Sequence, residues 1–131
     1  MKNLVLDTNT YVAYLNGDQQ IVAYIKAADE IILPFIVLGE LHYGFFKGSK
    51  APENIRILQE FLESPRVMII HSDEDVSLVF GEIAAELASI GKPMQQNDIW
   101  IAAICKRHNY SLLTYGQGFK NIIGLKLLPL K

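Results

Sequence analysis

Apolar residues follow two alternating patterns along the chain. Short runs stand at Asn3 to Leu6, Ile31 to Leu33, Val67 to Ile70, Ser111 to Leu113 and Lys126 to Leu128. Runs this brief are too short for helices and fit strands of a parallel sheet covered on both faces. Between them the apolar positions recur at helical spacing. Thr8 to Asn16 reads as a helix broken by Gly17-Asp18, and Asp18 can cap a second helix through Ile21, Val22 and Ile25. Pro34 suits the first turn of a third, which runs through Glu40 towards Gly48. A fourth spans Glu53 to Ser64 and is ended by Pro65. A fifth sets Val76, Val79, Phe80, Ile83, Leu87 and Ile90 on one stripe and stops at Gly91. The last, Asn97 to Arg107, is apolar on most sides, which predicts a central, covered helix. Strands alternating with helices predict one domain over residues 1–131, a three-layer α/β/α fold with a central parallel sheet and right-handed crossovers.

Composition narrows the class. With 131 residues, 50% hydrophobic and 20% charged, the chain has the balance of a globular domain, and disorder is excluded. The lone Cys105 cannot form an intramolecular disulfide. The amino end meets Asp7 after three apolar residues, which predicts no signal peptide, and the run Ile31 to Leu38 is too short and too broken by Pro34 to cross a membrane. The expected location is the cytoplasm. The net charge of -2 hides an asymmetry: residues 1–98 hold all 14 acids, whereas residues 99–131 hold Lys106, Arg107, Lys120, Lys126 and Lys131 and no acid. Such a split weakly suggests an anionic partner near the carboxyl-terminal third, although from charge alone a merely solvated basic surface is the simpler reading.

Three acids stand where the pattern gives them work to do. In an open parallel sheet the functional crevice lies at the carboxyl ends of the strands. Asp7 ends the first strand in Val5-Leu6-Asp7-Thr8-Asn9. It can serve as a helix N-cap, or project into the crevice with Thr8 and Asn9 orienting it. Glu40 has Ile36, Val37, Tyr43 and Gly44 as its helical neighbours, an apolar face on which a carboxylate needs compensation. Asp98 opens the most apolar helix, where the helix dipole favours an acid and where its carboxylate can also aim at the crevice. Two carboxylates ~5 Å apart repel by ~3 kcal/mol at an effective dielectric of ~20, so three together require a cation or a proton. His42, His71, His108 and Cys105 lie in no ligand-like spacing, and an all-oxygen site suits Mg2+ or Mn2+ and disfavours Zn2+.

These strings resemble the PIN domain, and more narrowly the VapC-type toxins of toxin-antitoxin pairs. The resemblance rests on Leu6-Asp7-Thr8-Asn9, on Leu38-Gly39-Glu40-Leu41-His42-Tyr43-Gly44, on Asn97-Asp98-Ile99-Trp100-Ile101-Ala102-Ala103, and on Leu112-Leu113-Thr114 with Phe119 and Ile123-Gly124-Leu125. It covers essentially the whole chain, and the motifs are specific in their ordered combination more than singly. It implies a PIN-like fold and a Mg2+- or Mn2+-dependent endoribonuclease held inactive by a cognate antitoxin. Asp7, Glu40 and Asp98 fall on the family's metal-binding and catalytic acids, and Thr8, Asn9 and Thr114 on supporting positions. Lys106, Arg107, Lys120 and Lys126 are candidates to contact RNA phosphates beside the acids.

One position departs from the family pattern. Where a fourth acid or an Asn commonly follows two residues after the Thr of the last motif, this chain has Gly116. The expectation is weakened metal affinity and impaired cleavage in an otherwise intact fold, with Gly allowing a tight turn. The alternative is a non-catalytic RNA-binding or protein-interaction module with a degenerate site. A phosphoryl-transfer receiver domain is a weaker rival, because such domains place a Lys after the last strand and Thr114-Tyr115-Gly116 has none. A homodimer is also expected, with Tyr11, Tyr14 and Tyr24 offering a partner-facing set on the amino-terminal helices.

Overall fold

The short apolar runs become the strands of a single sheet. In a computed structural model that describes residues 2–131, β1 (Asn3–Leu6), β2 (Glu30–Pro34), β3 (Val67–Ile70), β4 (Ser111–Leu113) and β5 (Lys126–Leu127) pair in the order β3-β2-β1-β4-β5. Every pairing is parallel. Helices α1 (Thr8–Leu15), α2 (Gln19–Ala27), α3 (Phe35–Lys47), α4 (Ala51–Leu62), α5 (Glu74–Ser89) and α6 (Gln96–His108) flank it, with a 3-10 turn at Gln117–Asn121. This is the expected α/β/α architecture. The chain winds outward from β1 to β3 and then returns to β4 on the other side of β1. The carboxyl ends of β1 and β4 therefore form the switch point where such sheets open a crevice.

Local chemistry sets the element ends. Asp18 and Asp73 each cap a helix, accepting from the backbone N–H of Ile21 at 3.1 Å and of Val76 at 2.9 Å. Gly91 and Asn109 leave α5 and α6 in left-handed geometry, at φ 69° and 62°. Pro34 does not sit in the first turn of α3. It ends β2 opposite Ile70, in extended geometry, and the helix begins at Phe35. A φ fixed near -65° serves either role. The fourth helix likewise starts at Ala51, earlier than Glu53.

The core follows the sheet. Leu4, Val5, Leu6, Ile31, Ile32, Leu33, Leu112 and Leu113 are buried, and α6 contributes Ile99, Ile101, Ala102, Ala103, Ile104 and Cys105, so it is the covered helix its composition predicts. Burial pushes the Cys105 thiol well above its ordinary range and keeps it protonated. The third strand departs from expectation. It pairs with β2 alone, and Met68 and Ile69 are each 39% exposed, because β3 is an edge. No helix of the described residues is long and apolar enough to cross a membrane.

The three tyrosines do not form a shared partner surface. Tyr11 is fully buried edge-to-face on Phe61, Tyr14 packs on the same ring, and Tyr24 donates to the Pro129 carbonyl at 2.6 Å. Helix α4 and the carboxyl-terminal tail cover what the sequence leaves open. The Tyr11 hydroxyl has no hydrogen-bond partner among the described residues, and burial raises its pKa to about 12. Tyr11→Phe removes this unsatisfied group and should stabilise the protein by about 1 kcal/mol, read from the urea midpoint at constant m. A loss of comparable size would show that the hydroxyl is bonded in solution.

Candidate active site

Parallel pairing delivers all the strand ends to one edge, and the three acids meet there. Asp7 follows β1, Glu40 lies in α3 directly beyond the neighbouring β2, and Asp98 stands in the first turn of α6. Asp7, Thr8, Asn9, Glu40, Gln95 and Asp98 together line one cavity of about 180 Å³.

Asp7 fulfils both of its possible roles. As N-cap of α1 its Oδ1 accepts from the Thr10 N–H at 3.0 Å and the Thr10 hydroxyl at 2.9 Å. Its Oδ2 accepts from the Thr114 hydroxyl beyond β4. A carboxylate has about four lone-pair sites, so these bonds hold it in place while leaving acceptor capacity facing the cavity. Asp7 is only 7% exposed.

Glu40 receives the compensation its apolar setting demands. The Thr8 hydroxyl donates to Oε1 at 2.6 Å, and the Asn97 amide reaches Oε2 at a long 3.4 Å. Thr8 thus supports Glu40, and the residue that grips Asp7 from α1 is Thr10. Asn9 lines the cavity without bonding either acid. Thr10, Gln95 and Asn97 were not singled out from the sequence. Thr10 was findable, since it occupies the third helical position after an N-cap Asp, where capping bonds land. Gln95 and Asn97 carry no local signal, because only the docking of α6 brings them to the acids.

Asp98 has the dipole of α6 but no side-chain donor among the described residues. Burial, then the charges of Asp7 and Glu40, raise its pKa above the ordinary 3.8. The donors at this edge are all hard oxygens, which fits Mg2+ or Mn2+ in kind. Among the described residues no group of three or more His, Cys, Asp and Glu side chains is gathered closely enough to hold an ion. The acids share a cavity without forming a closed cage.

The remaining positions separate. Helix α6 runs back from the acids to the start of β4, so Lys106 and Arg107 lie at the opposite edge of the sheet, where Lys126 pairs with Ser111. Arg107 is moreover engaged with Asp75 at 3.0 Å. These three do not sit beside the acids. Lys120 follows β4 and donates to Gln117 at 2.6 Å. Gly116 lines a different cavity from the acids, with Thr114 and Lys120. Its φ of -67° and ψ of 122° need no glycine, so a tight turn is not its reason. What restricts it is space: an added Cβ would lie 3.0 Å from the buried Phe119 ring and 3.2 Å from the Thr114 hydroxyl.

An α/β/α fold with acids gathered at the carboxyl ends of its central strands is the PIN arrangement, and the PIN domain profile matches residues 4–125. The chain belongs to the PIN domain family. Among its relatives, "Ribonuclease VapC2" of Haemophilus influenzae is 30% identical over 129 residues, covering 96% of each chain. The structure of VapBC2 from Rickettsia felis, bound to a DNA fragment from their promoter, superposes with a TM-score of 0.87 at 30% identity, covering 98% of this chain and 99% of that one. VapBC-1 from nontypeable Haemophilus influenzae superposes with a TM-score of 0.86 at 27% identity over 96% of each.

The raised pKa of Asp98 has a measurable consequence. A carboxyl whose folded pKa lies above its unfolded value contributes its full stability below pH 3.8 and loses it as pH climbs through the raised value. In chelator at neutral pH, Asp98→Asn should melt above wild type, and the gap should narrow as pH falls towards 3.8. Identical melting at neutral pH would show that neither burial nor the neighbouring charges raise the Asp98 pKa.

Proposed function

We propose that the protein is a metal-dependent endoribonuclease toxin that cleaves RNA phosphodiester bonds and is held inactive by a cognate antitoxin. The observation that carries this reading is the convergence of Asp7, Glu40 and Asp98, from three separate parts of the chain, on one cavity at the sheet's switch point. Relatives named ribonucleases and neighbours solved as VapBC pairs support the substrate class and the partner.

In this reading Asp7 and Asp98, with Glu40, hold Mg2+ or Mn2+. A bound cation supplies an activated water and neutralises charge on the phosphoryl oxygens. The chain's own residues do the positioning. Thr10 and Thr114 fix the Asp7 carboxylate from two sides, and Thr8 and Asn97 fix Glu40. The antitoxin would offer Arg or Lys side chains to the same acids. A second copy of the chain is the other expected partner, supported by exposed Phe35 on α3 and by Met68 and Ile69 on the edge strand. Sedimentation should show a dimer, and a strict monomer would remove that part of the reading.

Purified protein should cleave single-stranded RNA in Mg2+ or Mn2+ and not in EDTA. Asp7→Asn should lose more activity than Thr10→Val or Thr114→Val, whose expected cost is the ~10- to 100-fold of an outer support. Cleavage that persists in EDTA or in Asp7→Asn would overturn the metal-dependent mechanism. Gly116 favours a second reading, a non-catalytic RNA-binding or protein-interaction module, and absence of cleavage by wild type with RNA binding retained would select it. Gly116→Asp and Gly116→Ala share the Cβ contact with Phe119 and differ in the carboxylate. Tighter Mn2+ binding by Gly116→Asp than by Gly116→Ala is expected if the fourth acid adds a ligand, and equal binding would show that it does not.

A further inference from the structure

A second cavity adjoins the acids, of about 430 Å³, lined by Ile36, Gly39, Glu40, Tyr43, Gln95 and Asn97. It shares Glu40 and Gln95 with the acid cavity, so the two lie side by side. Its walls differ in kind, being mostly apolar where the acid cavity is polar. We infer that this second cavity is a nucleobase subsite, in which an unpaired base of the RNA stacks on Tyr43 and presents its edge to the Gln95 and Asn97 amides. The inference deepens the ribonuclease reading and rests on it.

Several features fit a base. Tyr43 is 66% exposed and has no partner ring among the described residues; Lys47 Nζ lies over one face of its ring, 5.1 Å from the centroid, so a stacking base takes the opposite face with a cation beside it for the phosphate. Gly39 lies one helical turn before Tyr43, on the same face of α3. Glycine weakens a helix interior relative to alanine, and an added Cβ at Gly39 would meet nothing, so packing does not require it. Its bareness leaves the floor beside the ring open. The Gln95 side chain has no hydrogen-bond partner among the described residues, and the Asn97 amide has only its 3.4 Å contact with Glu40. Stacking on an aromatic with amides at the base edge is how single-stranded RNA is read, and the volume is within the ~300–1,000 Å³ of small-ligand sites.

The test uses full-length protein and short single-stranded RNAs carrying 2-aminopurine at successive positions, with Ca2+ in place of Mg2+ to slow turnover, followed by KM and kcat in Mg2+. Wild type should quench the fluorescence at one position. Tyr43→Ala should lose that quench and raise KM roughly tenfold or more, and Tyr43→Phe should keep both near wild type. An abasic nucleotide at the quenched position should weaken wild type as much as Tyr43→Ala does, and cost that variant nothing further. Gly39→Leu, which fills the floor, should match Tyr43→Ala, and Gln95→Ala should change the preferred base while keeping the quench. If RNA is bound and cleaved with quench and KM unchanged in Tyr43→Ala, the subsite is rejected and the ribonuclease reading stands. If wild type binds no RNA, both fall. If Tyr43→Ala turns a dimer into a monomer and the abasic RNA binds wild type normally, the ring belongs to a contact between copies of the chain and the subsite is rejected.

Discussion

A carboxylate buried at the end of the central strand is the constraint on which the rest of the site depends. Burying a carboxylate without partners costs several kcal/mol. The partners of Asp7 come from opposite sides of the sheet's switch point: Thr10 from the helix it caps, and Thr114 from beyond β4. The second contact exists only because Leu6 pairs with Leu113, which sets the residues after each strand side by side. A slip of one residue would turn every buried side chain of β4 to the other face, so core packing fixes the register that in turn fixes the site.

The three acids are unequally supported. Asp7 has side-chain and backbone donors from Thr10 and Thr114, and hydrogen bonds to charged groups are worth about 1.5–3 kcal/mol each. Glu40 has one good donor and one stretched one. Asp98 relies on the amino end of α6, an effect of ~0.3–1 kcal/mol, and it is the carboxyl on which burial and the two neighbouring charges act upward. The two better-held groups therefore act as fixed walls. Asp98 is the group with most to gain from a cation, since its ionised form is the least compensated.

The sequence made legible what local chemistry encodes. Strand and helix order followed from period and caps, and Asp7, Glu40 and Asp98 stood out because each sits where an acid needs a reason. The strand order was not legible, and the errors flow from it. Without it β3 looked covered, when it is an edge with Met68 and Ile69 half in solvent. Without it Lys106, Arg107 and Lys126 looked close to the acids, when the antiparallel run of α6 carries them to the far edge. Tyr11 and Tyr14 looked available because Phe61, about fifty residues later, gives no sign in sequence that it covers them. The cavity-lining Gln95 and the Glu40 partner Asn97 share this character, being defined by docking and not by any neighbour in the chain.

Gly116 shows how packing can hold a departure from a family pattern in place. Its backbone is open to any residue, so conformational freedom does not explain the glycine. The space its Cβ would occupy is tight against Phe119, 2% exposed, and the Thr114 hydroxyl. That hydroxyl accepts from the Gly116 N–H at 2.9 Å while donating to Asp7. A side chain at position 116 requires a shift of a few tenths of an ångström in a core ring or in the group that anchors the most deeply buried acid. An acid added here would press on Phe119 and Thr114 as well as offering a ligand. It would act on Asp7 through Thr114 as well as through its own charge, so the loop after β4 and the acid at the end of β1 form one coupled unit.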